Sequence, residues 1–271
     1  MDGLLLNTED IYSLCANNVL AKYGRPPVPW SLKAQMMGVS GSSTGENFHQ
    51  WAKLPISKEE WAKEQSVEQT RCFPKAELLP GVAKLLEDLK VSRTKASGAL
   101  ERSDNGGGKK VEIALATSSV AENFKLKMSR PEVSELFEIF TPERRILGDD
   151  LRLAKGRGKP RPDIYLLALE VINSSLPDGQ PQITPEECLV FEDSVPGVEA
   201  GRRAGMRAVW VPHPGLAEEY RGREKEVLAG RSGLGDGGDE AELGQIDDGW
   251  AERLPSLENF PYEKYGIEIF R

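Results

Sequence analysis

From residue 111 onward the chain repeats one pattern: a short apolar run, a polar turn, then an amphipathic stretch. "VEIALATSS" (111–119) leads into "AENFKLKMSRPEVSELF", and "EIFTPERRIL" (138–147) leads to "RPDIYLLALEVINSS". "CLVFEDS" (188–194) leads into "GVEAGRRAGM" and then "RAVWVP". Short apolar runs bounded by turn residues read as buried strands, and apolar positions recurring every three to four residues read as helices. Strand and helix in strict alternation require crossover connections, so the fold class is α/β, with a parallel sheet covered by helices on both faces. In such sheets ligands sit beyond the carboxyl ends of the strands. The polar residues that end the runs are therefore the functional candidates: Thr117 and Ser118, then Glu192 and Asp193. Two further clusters sit in turns that lead into helices, Asp2 with Gly3 and Lys159 in "GKPRPDIY".

The first third of the chain follows a different rule. Residues 9–23 place Ile11, Leu14, Cys15, Val19 and Leu20 at helical spacing, with Gly24 and prolines behind them. "WSLKAQMMG" from Ser31, "STGENFHQWAK" and "SKEEWAKEQSVEQTRCF" continue the helical reading, and Ser57 with Glu60 fits a capping box. No strand candidate falls within 10–78, so this segment is expected to form an all-helical domain inserted between 1–9 and 79–271. Residues 92–110 and 226–248 are polar and glycine-rich and read as flexible surface insertions. The tail "LPSLENFPYEKYG" is expected to pack on the core through its aromatics.

Composition excludes several classes. The formal charge of -8, without a basic block, argues against a nucleic-acid backbone or an anionic membrane as partner. No apolar stretch approaches a membrane span. The three cysteines, Cys15, Cys72 and Cys188, are far apart and without CxxC spacing, so reduced thiols in a cytoplasmic protein are expected. The histidines, His49 and His213, are too few for a His-based metal site. "NGGGKKV" lacks the spacing of a nucleotide P-loop, and "GRGKPRP" opens no dinucleotide-binding unit.

Taken in order, "MDGLLLNTE", "LATSS", "GKPRPDIY" and "LVFEDSVPGVEAG" resemble the four motifs of the haloacid dehalogenase superfamily of phosphotransferases. The resemblance covers nearly the whole chain. It implies a Rossmann-like core with the helical insertion as a cap. "SKEE", "LLPG", "LGDD" and "CLVFED" add a likeness to the eukaryotic pseudouridine-5'-phosphatase subgroup.

The chemistry implied is Mg²⁺-dependent hydrolysis of a small phosphorylated metabolite, with pseudouridine 5'-phosphate as the best single expectation. A phosphate dianion repels carboxylates: like charges about 4 Å apart cost about 4 kcal/mol at an effective dielectric near 20. A hard cation with oxygen ligands must therefore stand between them, which suits Mg²⁺. The resemblance implies metal ligation by Asp193 and by the Asp2 main-chain carbonyl. Glu192 stands behind, orienting Lys159 or a metal-bound water. Thr117, Ser118 and Lys159 hold the phosphoryl group, and Asp2 serves as general acid and then general base. Lys33, Gly38 and Ser40 are the specificity candidates in the cap. Asn7 stands where many relatives carry Asp and is expected to tune the hinge into the cap.

In this family the nucleophile, which becomes an aspartyl-phosphate, is an aspartate two residues before the acid/base residue. That position precedes Met1. The expectation is a sequence incomplete inside its first motif, lacking the nucleophile and the first core strand, and inactive as written. The alternatives are a non-catalytic phosphate- or Mg²⁺-binding relative, and a sugar-phosphate phosphatase or mutase.

Overall fold

The computed structural model describes residues 1–38, 42–94, 110–231, 239 and 242–270. Four helices come first: α1 (Thr8–Lys22), α2 (Trp30–Met36), α3 (Ser42–Ala52) and α4 (Lys58–Cys72). The Ser57 hydroxyl accepts from Glu60 N (3.1 Å) while the Glu60 carboxylate accepts from Ser57 N (2.8 Å), so the capping box starts α4. α1 and α4 pack side by side, closing the helical segment on itself.

The rest of the chain runs α5 (Val82–Lys90), β1 (Ser92–Thr94), β2 (Leu115–Ala116), α6 (Ala121–Lys127), α7 (Pro131–Phe137), β3 (Arg145–Ile146), α8 (Asp163–Ser174), β4 (Leu189–Glu192), α9 (Val195–Arg203), β5 (Arg207–Trp210), α10 (Pro214–Glu219), α11 (Glu224–Leu228), β6 (Ala251–Arg253) and β7 (Ile267–Ile269). β2 pairs with β3, β4 with β5, and β5 with β6, all in parallel. Along β4 the side chains alternate between two helical layers. Val190 packs with Ile164 and Leu169 of α8 and Ala200 of α9. Leu189 and Phe191 join the cluster that contains Leu85 and Leu89 of α5 and Phe137 of α7. This period of two is what a sheet covered on both faces requires. Trp210 of β5 is fully buried.

The segment 111–119 forms a ladder only at Leu115 and Ala116. The single helix expected after it is two, α6 and α7, separated at Pro131, whose ring removes an N–H and disfavours helical backbone before it. The proposed insertion 92–110 begins instead as strand: Ser92–Thr94 pairs antiparallel with Ile267–Ile269. A three-residue strand completed by the last residues of the chain has no local signature, because its partner lies far along the sequence. Residues 95–109 are outside the described set. The insertion 226–248 opens within α11. It closes in an ordered turn, where Asp248 pairs with Arg202 and accepts from Gln245 N (3.1 Å) and Trp250 N (2.9 Å); 232–238 and 240–241 are outside the described set. In the tail, Phe260 stacks on Tyr265 (5.1–5.2 Å contacts also join Phe191 and Tyr262) and lies in the core cluster. No described helix is long and apolar enough to cross a membrane.

The helical segment leaves and rejoins the sheets through adjacent strands of backbone. Asn7 N donates to Glu77 O (3.0 Å), Glu77 N donates to Asn7 Oδ1 (2.9 Å), and Leu79 N donates to Leu5 O (3.0 Å). The Asn7 side chain therefore ties the outgoing linker to the returning one.

Candidate active site

β4 ends in two carboxylates because Ser194 caps the following helix, its hydroxyl accepting from Gly197 N (3.2 Å). The Trp210 indole donates to Asp193 O (2.9 Å), and Val211 N donates to Glu192 O (2.7 Å), which holds the strand end in place. Glu192 is buried and well supplied with donors. Lys159 Nζ lies 2.5 Å away, the Tyr165 hydroxyl donates to the same oxygen, and Ser194 N (3.2 Å) and Oγ (3.0 Å) donate to the other. A Cβ at Gly197 would stand 2.0 Å from this carboxyl, so only glycine fits beside it. Burial pushes the Glu192 carboxyl up, but Lys159, the N-terminal ammonium and the Tyr165 hydroxyl together leave the group below its ordinary range.

Asp193 is different. It is equally buried, yet among the described residues no donor is hydrogen-bonded to its carboxylate. Burial, then Glu192, then Glu9 push it well above the ordinary carboxyl range. The Gly3 backbone lies against it, since a Cβ there would meet Asp193 Oδ2 at 2.2 Å and Glu9 Cγ at 2.7 Å. Glu9 itself is buried and pushed up by burial, against the pull of Lys33.

Asp2 faces a cation that sequence reasoning missed. Lys127, at the end of α6, has no exposed surface. Its ammonium donates to Asp2 Oδ1 (2.5 Å), Tyr12 Oη (3.0 Å) and Ser119 Oγ (2.9 Å), and lies over the Tyr12 and Phe73 rings at 4.8 and 4.5 Å. The Thr8 hydroxyl also donates to Asp2 (2.6 Å). Burial raises the Asp2 carboxyl, and Lys127, the N-terminal ammonium and the Thr8 hydroxyl together more than reverse this, leaving it lowered. Nothing local marks it: a lysine among the charged residues of α6 reads as solvated surface until that helix docks against α1.

Thr117 is buried. Its N–H donates to Ile146 O (3.0 Å), and its hydroxyl accepts from Ser119 N (3.2 Å). Gly148 packs against the Ser118 backbone, where a Cβ would come within 2.2 Å of Ser118 O. The Ser118 hydroxyl donates to Gly38 O (3.2 Å), across from the helical segment. Gly38 has φ +76°, and a Cβ on it would lie 2.2 Å from Ser194 Oγ. The turn after α2 is thus seated on both Ser118 and Ser194. Ser40 lies outside the described residues. Lys33 points elsewhere: its buried ammonium is taken by Glu9 O (2.6 Å), Ser13 Oγ (2.6 Å) and the Glu9 carboxylate (3.4 Å).

Asp2, Thr117, Ser118, Lys159, Glu192, Asp193 and Gly38 therefore converge on one region, and Glu9 and Lys127 join them. A cavity of about 300 Å³ opens beside it, lined by Ser118, Gly148, Leu151, Lys155 and Lys159 among others. A larger groove of about 430 Å³, between Thr141, Arg144, Glu170 and Ser175, includes none of these residues.

The donor set was tested against a divalent cation. No group of three or more His, Cys, Asp or Glu side chains is arranged to hold a metal among the described residues. The carboxylates of Asp2 and Glu192 are committed to lysines. Two oxygen donors remain: the unpartnered Asp193 carboxylate, and Asp2 O, to which no described main-chain N–H donates. A buried carboxylate beside Glu192 and Glu9, which no described donor hydrogen-bonds and which the N-terminal ammonium and Lys159 only partly offset, fits a cation held largely by main chain, water and one side chain.

A family model described as haloacid dehalogenase-like hydrolase matches residues 1–205. A "probable pseudouridine-5'-phosphatase" of Saccharomyces cerevisiae is 36% identical over 267 residues, covering 98% of this chain and 94% of that protein. One of the same description from Drosophila melanogaster is 34% identical over 229 residues, covering 84% and 86%. Among solved structures, a haloacid dehalogenase-like protein from Agrobacterium tumefaciens superposes with a TM-score of 0.58 at 19% identity, covering 96% of this chain and 92% of that one.

Proposed function

Because the chain belongs to the haloacid dehalogenase-like hydrolases and its named relatives are phosphatases, we propose that it serves the Mg²⁺-dependent hydrolysis of pseudouridine 5'-phosphate. The observation that carries this reading is the Asp193 carboxylate, buried beside the Lys159–Glu192 pair and pushed well above its ordinary range by burial, Glu192 and Glu9 against the weaker pull of the N-terminal ammonium and Lys159. Asp193 and the Asp2 carbonyl would hold Mg²⁺, which supplies charge neutralisation and polarisation of a phosphoryl oxygen when bound.

The protein's own groups do the rest. Thr117 and the Ser118 N–H bind phosphoryl oxygens at the end of β2. Lys159, held straight by Glu192 and lying over the Tyr165 ring at 5.2 Å, offsets charge on the phosphoryl group. Asp2 exchanges a proton with the leaving oxygen and then with water. The helical segment acts as a cap, with the Gly38 turn excluding water over Ser118 and Ser194. Lys33 has all three of its donors engaged by Glu9 and Ser13, so it offers nothing to a second phosphate. That disfavours a mutase.

The position two residues before Asp2, where the family resemblance places the phosphoryl acceptor, precedes residues 1–271. The test compares this polypeptide with one extended to place Asp at that position, on a panel of phosphate esters with Mg²⁺. Turnover only by the extended form, fastest on pseudouridine 5'-phosphate, supports the proposal. Comparable rates on hexose phosphates and nucleotides would refute the substrate. Phosphate binding without turnover in either form would establish the non-catalytic alternative.

A further inference from the structure

α2 is apolar on two faces. Leu32 and Met36 pack with Phe48 and Ala52 of α3. Trp30 and Ala34, with Met37 just after the helix, are spaced for one side of it, and they join a cluster with Val195 and Val198 of α9, Trp210 of β5 and Leu216 of α10. This helix therefore beds the helical segment on the core. Its last turn runs directly into Gly38, whose carbonyl accepts from the Ser118 hydroxyl (3.2 Å).

At the start of α2 the contact with the core becomes titratable. The Trp30 indole lies where a Cβ on Gly215 would come within 2.0 Å, and it stacks on the His213 ring with centroids 4.6 Å apart and planes 22° from parallel. His213 is the N-cap of α10, its Nδ1 accepting from Gly215 N (3.0 Å). The proton of the neutral ring is then on Nε2, which donates to Asp10 Oδ1 of α1 (3.2 Å). One imidazole thus holds α1, α2 and α10 together, and it does so only when neutral. A second proton would sit on Nδ1 and point at the Gly215 N–H, donor against donor. The charged groups that face the ring are Asp10 and, across the indole, Lys33, whose Nζ lies 4.6 Å from the Trp30 ring. Burial outweighs Asp10, Lys33 adds to it, and the imidazole is held below its ordinary value.

We infer that Trp30 and His213 are positioning residues, a latch that seats the helical segment on the core, sets the Gly38 turn against Ser118, and is released by acid. Only the role of Ser118 as a phosphate binder is taken from the phosphatase reading. The latched protein binds fewer protons at His213 than the released one, so release gains as pH falls below the value of the unconstrained ring. With that value near about 6.5, moving from pH 7.5 to 5.5 raises the ratio of released to latched protein by up to about tenfold.

The test places a thiol on the docked face of α2 by Ala34→Cys, in a Cys188→Ser background; Ala34 is buried, and Met37→Cys offers a second probe on the same face. The buried Cys15 and Cys72 report wider unfolding in the same molecule. The labelling rate with a pyridyl disulfide, divided by that of the urea-unfolded chain at the same pH, measures how often α2 lifts from the core. This ratio should rise about three- to tenfold from pH 7.5 to 5.5 at the new thiol and stay level at Cys15 and Cys72. Trp30→Ala should raise it already at pH 7.5. His213→Asn keeps an acceptor for Gly215 N but does not titrate, so its ratio should be the same at both pH values. A ratio that ignores pH, an acid rise that survives in His213→Asn or is matched at Cys15 and Cys72, or a Trp30→Ala protein that labels as slowly as its parent would overturn the latch. Calorimetric titration with inorganic phosphate and Mg²⁺ is a separate measurement: with the latch behaving as stated and no phosphate bound, it is the phosphatase reading that fails.

Discussion

Lys127→Met isolates the cation that faces Asp2. The substitution keeps the length of the side chain and its contact with the Tyr12 and Phe73 rings, and it deletes a charge that has no exposed surface. Removing one partner of a buried ion pair costs about 3–5 kcal/mol, because the remaining charge is stranded. Asp2 keeps 17% of its side-chain exposure and the Thr8 hydroxyl, so the lower end, about 3 kcal/mol, is expected. For a chain of this size that corresponds to a fall in Tm of roughly 6–12 °C. The assay is urea unfolding of the variant, of Asp2→Asn and of the double variant, which together form a thermodynamic cycle. The double variant should be more stable than the sum of the singles by at least about 1.5 kcal/mol, since it strands no charge. pH supplies a second check. The folded Asp2 carboxyl lies below its ordinary value. Its contribution is therefore present above the unfolded value, near about 4, and is lost as pH falls through the folded one. The gap between wild type and Lys127→Met should narrow in that acid window. A Lys127→Met protein within about 0.5 kcal/mol of wild type at pH 7, with an additive cycle, would refute the stranded-charge argument.

Other expectations follow from the same contacts. Saturating Mg²⁺, at about a hundredfold over its Kd, should stabilise the wild type by about 2.7 kcal/mol and Asp193→Asn not at all; an equal rise in both would separate the ion from Asp193. Gly148→Ala forces a methyl to within 2.2 Å of Ser118 O, so it should cost about 1–3 kcal/mol in urea and weaken inorganic phosphate binding, and unchanged binding would detach the Ser118 backbone from the phosphate. Burial holds the His213 imidazole below its ordinary value despite Asp10. The folded state then takes up its proton later than the unfolded state, so stability should fall as pH drops below about 6.5. His213→Gln should flatten that slope between pH 7.5 and 5.5, as read from urea midpoints.

What could be read from the sequence divides by range. Strands β4 and β5, the helices of the first third and the Ser57 capping box carry local signals, in apolar periodicity and in a Ser–Glu spacing of three, and they stand where those signals place them. β1 and β7 were missed because each is defined by a partner at the opposite end of the chain. β6, parallel to β5, was missed because "AER" has no strand periodicity and is ordered by Trp210 and its neighbours. At the site, the Glu192–Lys159 pairing follows from two clusters, each with a recognisable context. Lys127 and Glu9 do not, since a lysine in a charged helix and a glutamate in a first turn read as solvated surface until the helices are docked. Lys33 shows the same limit in reverse: its burial against Glu9 and Ser13 comes from how α1 meets α2, which no spacing encodes.

The paired linkers at Asn7–Glu77 and Leu5–Leu79 have an evolutionary and a practical corollary. A chain that departs and comes back at neighbouring points can lose, gain or exchange everything in between with little disturbance to its host, because the two stumps already touch. Grafting a different helical module onto these stumps, or bridging them with a short glycine turn, is therefore an accessible way to ask how much of the catalyst survives bareheaded.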